Sequence, residues 1–142
     1  MKITAKQIKD IAESLEAGMN VYINKKTLEI IDIPDLNDLY GDTDFWEEEL
    51  EKIENNRKDY ISISKLSSRD AFRIMEDFAD EVDDRRLRED LIKILNRRSP
   101  FANFKAEIDG SDYREQWFDF RAEKYQEYVR EQLEWEEIEF EG

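Results

Sequence analysis

Residues 21–33 read Val-Tyr-Ile-Asn-Lys-Lys-Thr-Leu-Glu-Ile-Ile-Asp-Ile and are closed by Pro34. Val21-Tyr22-Ile23 and Leu28-Glu29-Ile30-Ile31-Asp32-Ile33, the second rich in β-branched residues, flank the polar break Asn24-Lys25-Lys26-Thr27. That pattern predicts a β-hairpin with a four-residue connection. A lone hairpin is marginal in water, so it needs a further strand and a cover. Tyr60-Ile61-Ser62-Ile63-Ser64 alternates apolar with polar residues and supplies a half-buried third strand.

Everything around these strands reads as helix. Upstream, Thr4-Ala5-Lys6-Gln7 is a capping box that Ile3 and Ile8 can staple. Behind it Ile8, Ile11, Ala12 and Leu15 repeat on one helical face, and Gly18 suits the left-handed stop. Between the strands, Asp44 with Glu47 can cap a helix whose buried face is Trp46, Leu50 and Ile53, ending near Asn55-Asn56. Downstream, Ser67 caps a helix carrying Ala71, Phe72, Met75, Phe78, Ala79 and Val82 as one stripe. Asp83 or Asp84 opens the next, with Leu87, Leu91, Ile94 and Leu95 inward. Ser99-Pro100 reads as a hydroxyl cap before a proline at the first helical position, with Phe101, Phe104 and Ile108 on a shared face and Gly110 as the break. The last helix runs from about Asp112 to Leu133 and carries an apolar arc from Tyr113, Trp117, Phe118 and Phe120 to Tyr125, Tyr128, Val129 and Leu133. The predicted architecture is α+β, a small three-stranded antiparallel sheet packed against about six helices, with a helical C-terminal half. With no internal repeat and only two prolines, a single domain over residues 1–142 is expected.

Composition limits the chemistry. Among 142 residues there are 37 acids and 22 bases, a formal net charge of −15, with neither histidine nor cysteine. Such acidity repels phosphate backbones and anionic headgroups, so neither nucleic acid nor membrane is an expected partner. The missing residues remove imidazole bases, thiol nucleophiles, disulfides and the usual zinc ligand sets, and no cofactor is expected. The acidity is clustered: residues 32–59 carry −8, residues 133–142 carry −5, and residues 84–132 are neutral. One reading of those clusters is solvated surface; the other is a contact for a basic partner. The loop expected over residues 35–44 is rich in Asp, but no register supplies a calcium loop's alternating oxygens, sixth-position glycine and twelfth-position glutamate. The N-terminus has no apolar run of signal length, which together with the absent cysteines leads us to expect the cytosol.

The sequence resembles a known family at several points. Tyr60-Ile61-Ser62-Ile63, Phe72, Met75-Glu76-Asp77-Phe78-Ala79 with Val82, Phe101, Phe104-Lys105, Trp117-Phe118 and Phe120-Arg121 look like uncharacterised protein family 0158. The helix and hairpin upstream agree, so nearly the whole chain is covered. The resemblance implies a small α+β bacterial protein of the cytosol and brings no established reaction, substrate or catalytic residue. Two departures are specific: Leu28 stands where the family usually has a glycine in the hairpin turn, and Ala102-Asn103 where it tends to have a basic pair. The second removes a pair on which an anion-binding role would be built.

Two surfaces are candidates for function. Arg97, Arg98, Ser99 and Lys105 cluster at the Ser99-Pro100 helix start, where free amides attract anions. Trp117 and Arg121, one helical turn apart, would supply a stacking plane and a bidentate fork if their helix packs there. The competing reading makes the rings core and pairs the cations with nearby acids. The second surface is the tail Trp135-Glu136-Glu137-Ile138-Glu139-Phe140-Glu141, where Trp135, Ile138 and Phe140 alternate with acids. It can pack on its own domain, extend a sheet edge in its own or another molecule, or present Ile138 and Phe140 to a partner. Carboxylate pairs such as Glu76/Asp80 and Asp119/Glu123 are expected by number alone, and no catalytic residue is assigned. The favoured function is a noncatalytic protein-binding or adaptor module with a basic or apolar partner. The alternative is a small-anion-binding protein or enzyme at the Arg97 cluster; a nucleic-acid mimic is a third idea, opposed by the neutral helical half.

Overall fold

A computed structural model describes residues 1–34 and 44–142, with every side chain among them except that of Asp44. The Asp-rich loop and the calcium question therefore lie outside the described residues. The chain divides into two compact units, residues 1–65 with 125–142, and residues 66–124.

The first unit holds the sheet. Helix α1 (Ala5–Glu16) starts at the predicted capping box: the Gln7 amide donates to Thr4 Oγ1 at 3.0 Å and the Thr4 amide to Gln7 Oε1 at 2.9 Å. It buries Ile8, Ile11, Ala12 and Leu15 and ends at Gly18 with φ +84°, a conformation that glycine adopts without steric cost. Strands β1 (Met19–Asn24), β2 (Ile30–Pro34) and β3 (Tyr60–Ile63) form one antiparallel sheet in the order β2-β1-β3, with Tyr22 opposite both Ile31 and Ser62. Helix α1 packs on β1, and Val21, Ile23, Ile61 and Ile63 are buried.

The hairpin connection is residues 25–29, starting one residue later and ending two later than expected, so Leu28 and Glu29 lie outside β2. The Asn24 side-chain oxygen accepts from the Lys26 and Thr27 amides at 2.8 and 3.1 Å, the Leu28 amide reaches Asn24 O at 2.7 Å, and Leu28 itself is left-handed at φ +61°. A glycine would meet that backbone requirement more cheaply.

Helix α2 (Glu47–Asn55) begins behind a 3-10 turn over Asp44–Trp46, later than the expected start, and Trp46 occupies its cap position without a side-chain hydrogen bond. Trp46, Leu50 and Ile53 are half-buried, so this helix covers its neighbours loosely.

The second unit is helical. Helix α3 (Ser68–Glu81) is capped by Ser67 Oγ, α4 (Arg85–Leu95) by Asp84, and α5 spans Pro100–Asp109. Their core is Met75, Phe78, Ala79, Val82, Leu91, Leu95, Phe104, Ile108 and Trp117, the last from α6 (Arg114–Trp135). Rings dominate it: Trp117 lies 5.3 Å from Phe78 and 5.0 Å from Phe104 between centroids, within the range of favourable aromatic pairs. Helix α6 continues into the first unit, where Tyr125, Val129 and Leu133 are buried. An apolar arc wider than one stripe is what a helix needs when its two ends serve two cores.

Two expectations in this unit are corrected. Ser99 is not a hydroxyl cap: it is left-handed at φ +52° and makes no capping hydrogen bond. A hydroxyl cap needs an extended backbone, and from the left-handed region the Ser99 hydroxyl does not reach the first-turn amides. Phe101 does not share the buried face of Phe104 and Ile108; it is 44% exposed and meets Phe72 edge-on.

Candidate functional site

The C-terminal tail forms one wall of a groove in the first unit. Helix α6 ends in a two-bond left-handed cap: the Glu137 amide donates to Glu134 O at 3.0 Å and the Ile138 amide to Leu133 O at 2.9 Å. Glu137 carries the left-handed conformation, φ +58°, that this cap demands and that glycine usually supplies. The reversal buries Ile138, in the same way as Leu133, as the apolar contact that accompanies such caps.

The chain then runs beside the N-terminus. Ile3 and Phe140 form a parallel bridge in which the Ile3 amide donates to Glu139 O at 3.0 Å and the Glu141 amide to Ile3 O at 2.9 Å. Glu141 Oε1 accepts the Ala5 amide at 2.9 Å, placing a carboxylate on the positive end of α1. Of the arrangements open to the tail, packing on its own chain is the one adopted.

Where the tail passes the hairpin turn it leaves a groove of about 430 Å³ lined by Met1, Lys25, Leu28, Glu136, Glu137, Ile138 and Glu139. Met1, Leu28 and Ile138 are its apolar residues, and three glutamates against Lys25 and the terminal ammonium of Met1 leave the lining negative by one charge. Trp135, one residue before it, is 83% exposed. Among the described residues three non-glycine positions have a left-handed backbone; Leu28 and Glu137 line this groove, and the third is Ser99.

A polar cluster lies at the other end of the hairpin turn. Glu29 accepts from Lys52 Nζ at 2.8 Å and from Tyr60 Oη at 2.9 Å. These hydrogen bonds hold the Glu29 carboxyl below the usual carboxylate range, and the bond to Glu29 holds Lys52 above the usual lysine range. Both groups are moved away from neutrality, the opposite of what a general acid or base at neutral pH needs. The cluster is a clamp between the hairpin, α2 and β3. Among the described residues no group of three Asp or Glu side chains is placed to hold a metal ion, and no helix is long and apolar enough to cross a membrane.

The residues expected from the sequence are distributed as follows. Arg97, Arg98 and Lys105 are exposed, Ser99 is exposed and left-handed, and Arg121 is partly buried. Trp117 is 8% exposed with its indole in the aromatic core. Asn103, at one of the two departures from the family pattern, donates from Nδ2 to Arg98 O at 3.1 Å. Of the tail residues, Ile138 lines the groove, Phe140 is half-buried in the bridge to Ile3, and Trp135 projects from the helix end. Sequence reasoning missed Met1, Lys25, Leu28 and the role of Glu136, Glu137 and Glu139 beside them, because residues more than a hundred positions apart meet there. The one advance signal was Leu28 in a turn position that favours glycine.

Compared with known proteins, residues 1–141 match the family model described as Uncharacterised protein family (UPF0158), and the chain belongs to that family. No curated protein and no solved structure matches it.

Proposed function

We propose that this protein is a noncatalytic protein-binding module of the cytosol that engages its partner through the surface made by the tail and the hairpin turn. The observation that carries this reading is the groove between Leu28 and Ile138, which joins apolar lining to three carboxylates beside an exposed tryptophan. Trp135 is 83% exposed, and tryptophan dominates the energetics of many interfaces. The excess of acid over base there selects for a basic or apolar partner. An anion site at Arg97, Arg98, Lys105 and Arg121 is less supported, because the indole meant to stack on the ligand is packed against Phe78 and Phe104.

Affinity purification from the native host tests this, comparing the wild-type chain with a folded W135A/E139K variant by mass spectrometry. The expected result is a partner recovered with the wild type and lost with the variant. Identical recoveries from both would refute the assignment to this surface.

A further inference from the structure

Helix α2 covers the second face of the sheet, and covers it poorly. Val21 and Ile23 are buried on the first face, so Tyr22 between them points to the other, where it sits opposite Ile31 and Ser62. Leu50 and Ile53 of α2 lie over that second face and share with Tyr22, Tyr60 and Ile61 a hollow of about 290 Å³. Another of about 290 Å³ lies between α2 and β2, lined by Glu29, Ile30, Ile31, Glu48, Glu49 and Lys52. Elements packed to interior density leave few gaps larger than a water molecule. Helix α1 buries four side chains, α3 three, and α4 and α5 two each; α2 buries none. One carboxylate oxygen of Glu49 is buried without a hydrogen-bond partner, a cost that undocking the helix removes. What holds α2 is polar. Among the described residues, Lys52 to Glu29 at 2.8 Å is the one side-chain hydrogen bond or ion pair between α2 and the sheet with its hairpin, and Tyr60 of β3 steadies the same carboxylate.

We infer that α2 is a releasable cover, and that the Glu29–Lys52 pair is the latch that sets how often it lifts from the sheet. The inference is independent of the tail groove. A helix of nine residues does not hold its shape alone in water, so lifting is local melting. The docked state gains little: its apolar contacts are half-buried, gaps remain beside them, and the Glu49 oxygen opposes docking. An exposed ion pair is weak in itself, yet it decides the balance where the other terms nearly cancel. The rest of the unit stays folded through the opening, because Ile8, Ile11 and Leu15 of α1 and Val21, Ile23, Ile61 and Ile63 of the sheet are buried on the first face. Segments that open below the global unfolding transition are those with few buried apolar contacts, as here. The open form bares Tyr22, Ile31, Leu50 and Ile53, which the closed form half hides.

Amide hydrogen exchange on the full chain, followed residue by residue by NMR, tests this. In the wild type the hydrogen-bonded amides of α2, residues 51–55, exchange through local opening, faster than those of α1 over residues 9–16 and with little response to low urea. K52M and E29Q each raise the α2 rate several-fold, the scale of an exposed ion pair, and leave α1 unchanged. E49M keeps the length of the side chain, removes the unpartnered oxygen, and slows α2 exchange. Opposite shifts confined to one helix are not what a change in global stability produces. Wild-type α2 amides protected as long as those of α1 would overturn the releasable cover. An α2 rate unchanged in K52M and E29Q, or α1 and α2 accelerated alike, would overturn the latch.

Discussion

Replacing Ile138 with alanine probes whether the tail is part of the folded first unit. Ile138 is 7% exposed, sits against the end of α6 in the cap with Leu133, and its own amide bonds to Leu133 O at 2.9 Å. The backbone bond survives the substitution, so the loss is that of the buried aliphatic group. For an isoleucine truncated to alanine at such a position, transfer and cavity terms together come to about 3 kcal/mol. The groove beside it admits some relaxation, which places the value toward the lower half of the usual range. Against a total stability of about 5–15 kcal/mol this is a large fraction. For a chain of this size it lowers the thermal midpoint by roughly 10 °C. Valine, which keeps most of the contact, should cost about 1 kcal/mol. The assay is denaturation followed by far-UV circular dichroism on wild type, I138V and I138A, with urea midpoints as a second measure. A graded loss in that order supports a docked tail. If alanine costs less than about 0.5 kcal/mol, the level of an ordinary surface change, the tail is not packed and the groove has no wall.

Further outcomes follow from single side chains. Ser99→Gly relieves a left-handed backbone that bears no capping bond, and after glycine's greater unfolded-state freedom is set against it the net gain is about 0.5–1 kcal/mol, read as a rise of a few degrees in midpoint. Trp117→Ala should cost about 3–5 kcal/mol because its indole is core, whereas Trp135→Ala, with its ring in water, should stay within about 0.5 kcal/mol; equal effects would contradict the two placements. The Glu29 carboxyl is held below its ordinary value, so its contribution is present above the unfolded carboxylate range and is lost as pH falls through the lowered one. The stability difference between wild type and E29Q should therefore be small at neutral pH, screened further by salt because the pair is exposed, and gone in acid. Lys52, held above its ordinary value, contributes fully below the unfolded lysine range and loses that contribution as pH rises through the raised one, which K52M would show.

Local signals were the legible ones. Thr4 with Gln7, Ser67 and Asp84 cap their helices as read, because a cap is decided within four residues. Ser99 broke the pattern because its left-handed backbone takes the hydroxyl away from the first-turn amides, a conformation that no residue nearby announces. The β-branched runs gave the strands and their order of appearance, and the turn starts one residue later than expected because Asn24 both ends β1 and nucleates the turn through its side chain. Periodicity placed Phe101 and Phe104 on one face but could not say how wide a face the neighbours cover. The candidate site was half visible: Trp135 and Ile138 were marked by the alternating tail, while its other wall comes from Met1 and the hairpin turn, a contact that no local pattern encodes. Leu28 in a turn was the trace of that contact on the sequence.

The most direct measurement is an NMR titration of the isotopically labelled chain with a short peptide of alternating lysine and leucine, a basic and apolar probe, following every backbone amide. The account predicts shifts confined to Lys25, Leu28 and Glu136–Glu139 with the flanking Trp135, on a folded background. Shifts centred on Arg97, Phe101 and Phe118 instead, or none while the peptide is demonstrably bound, would contradict it.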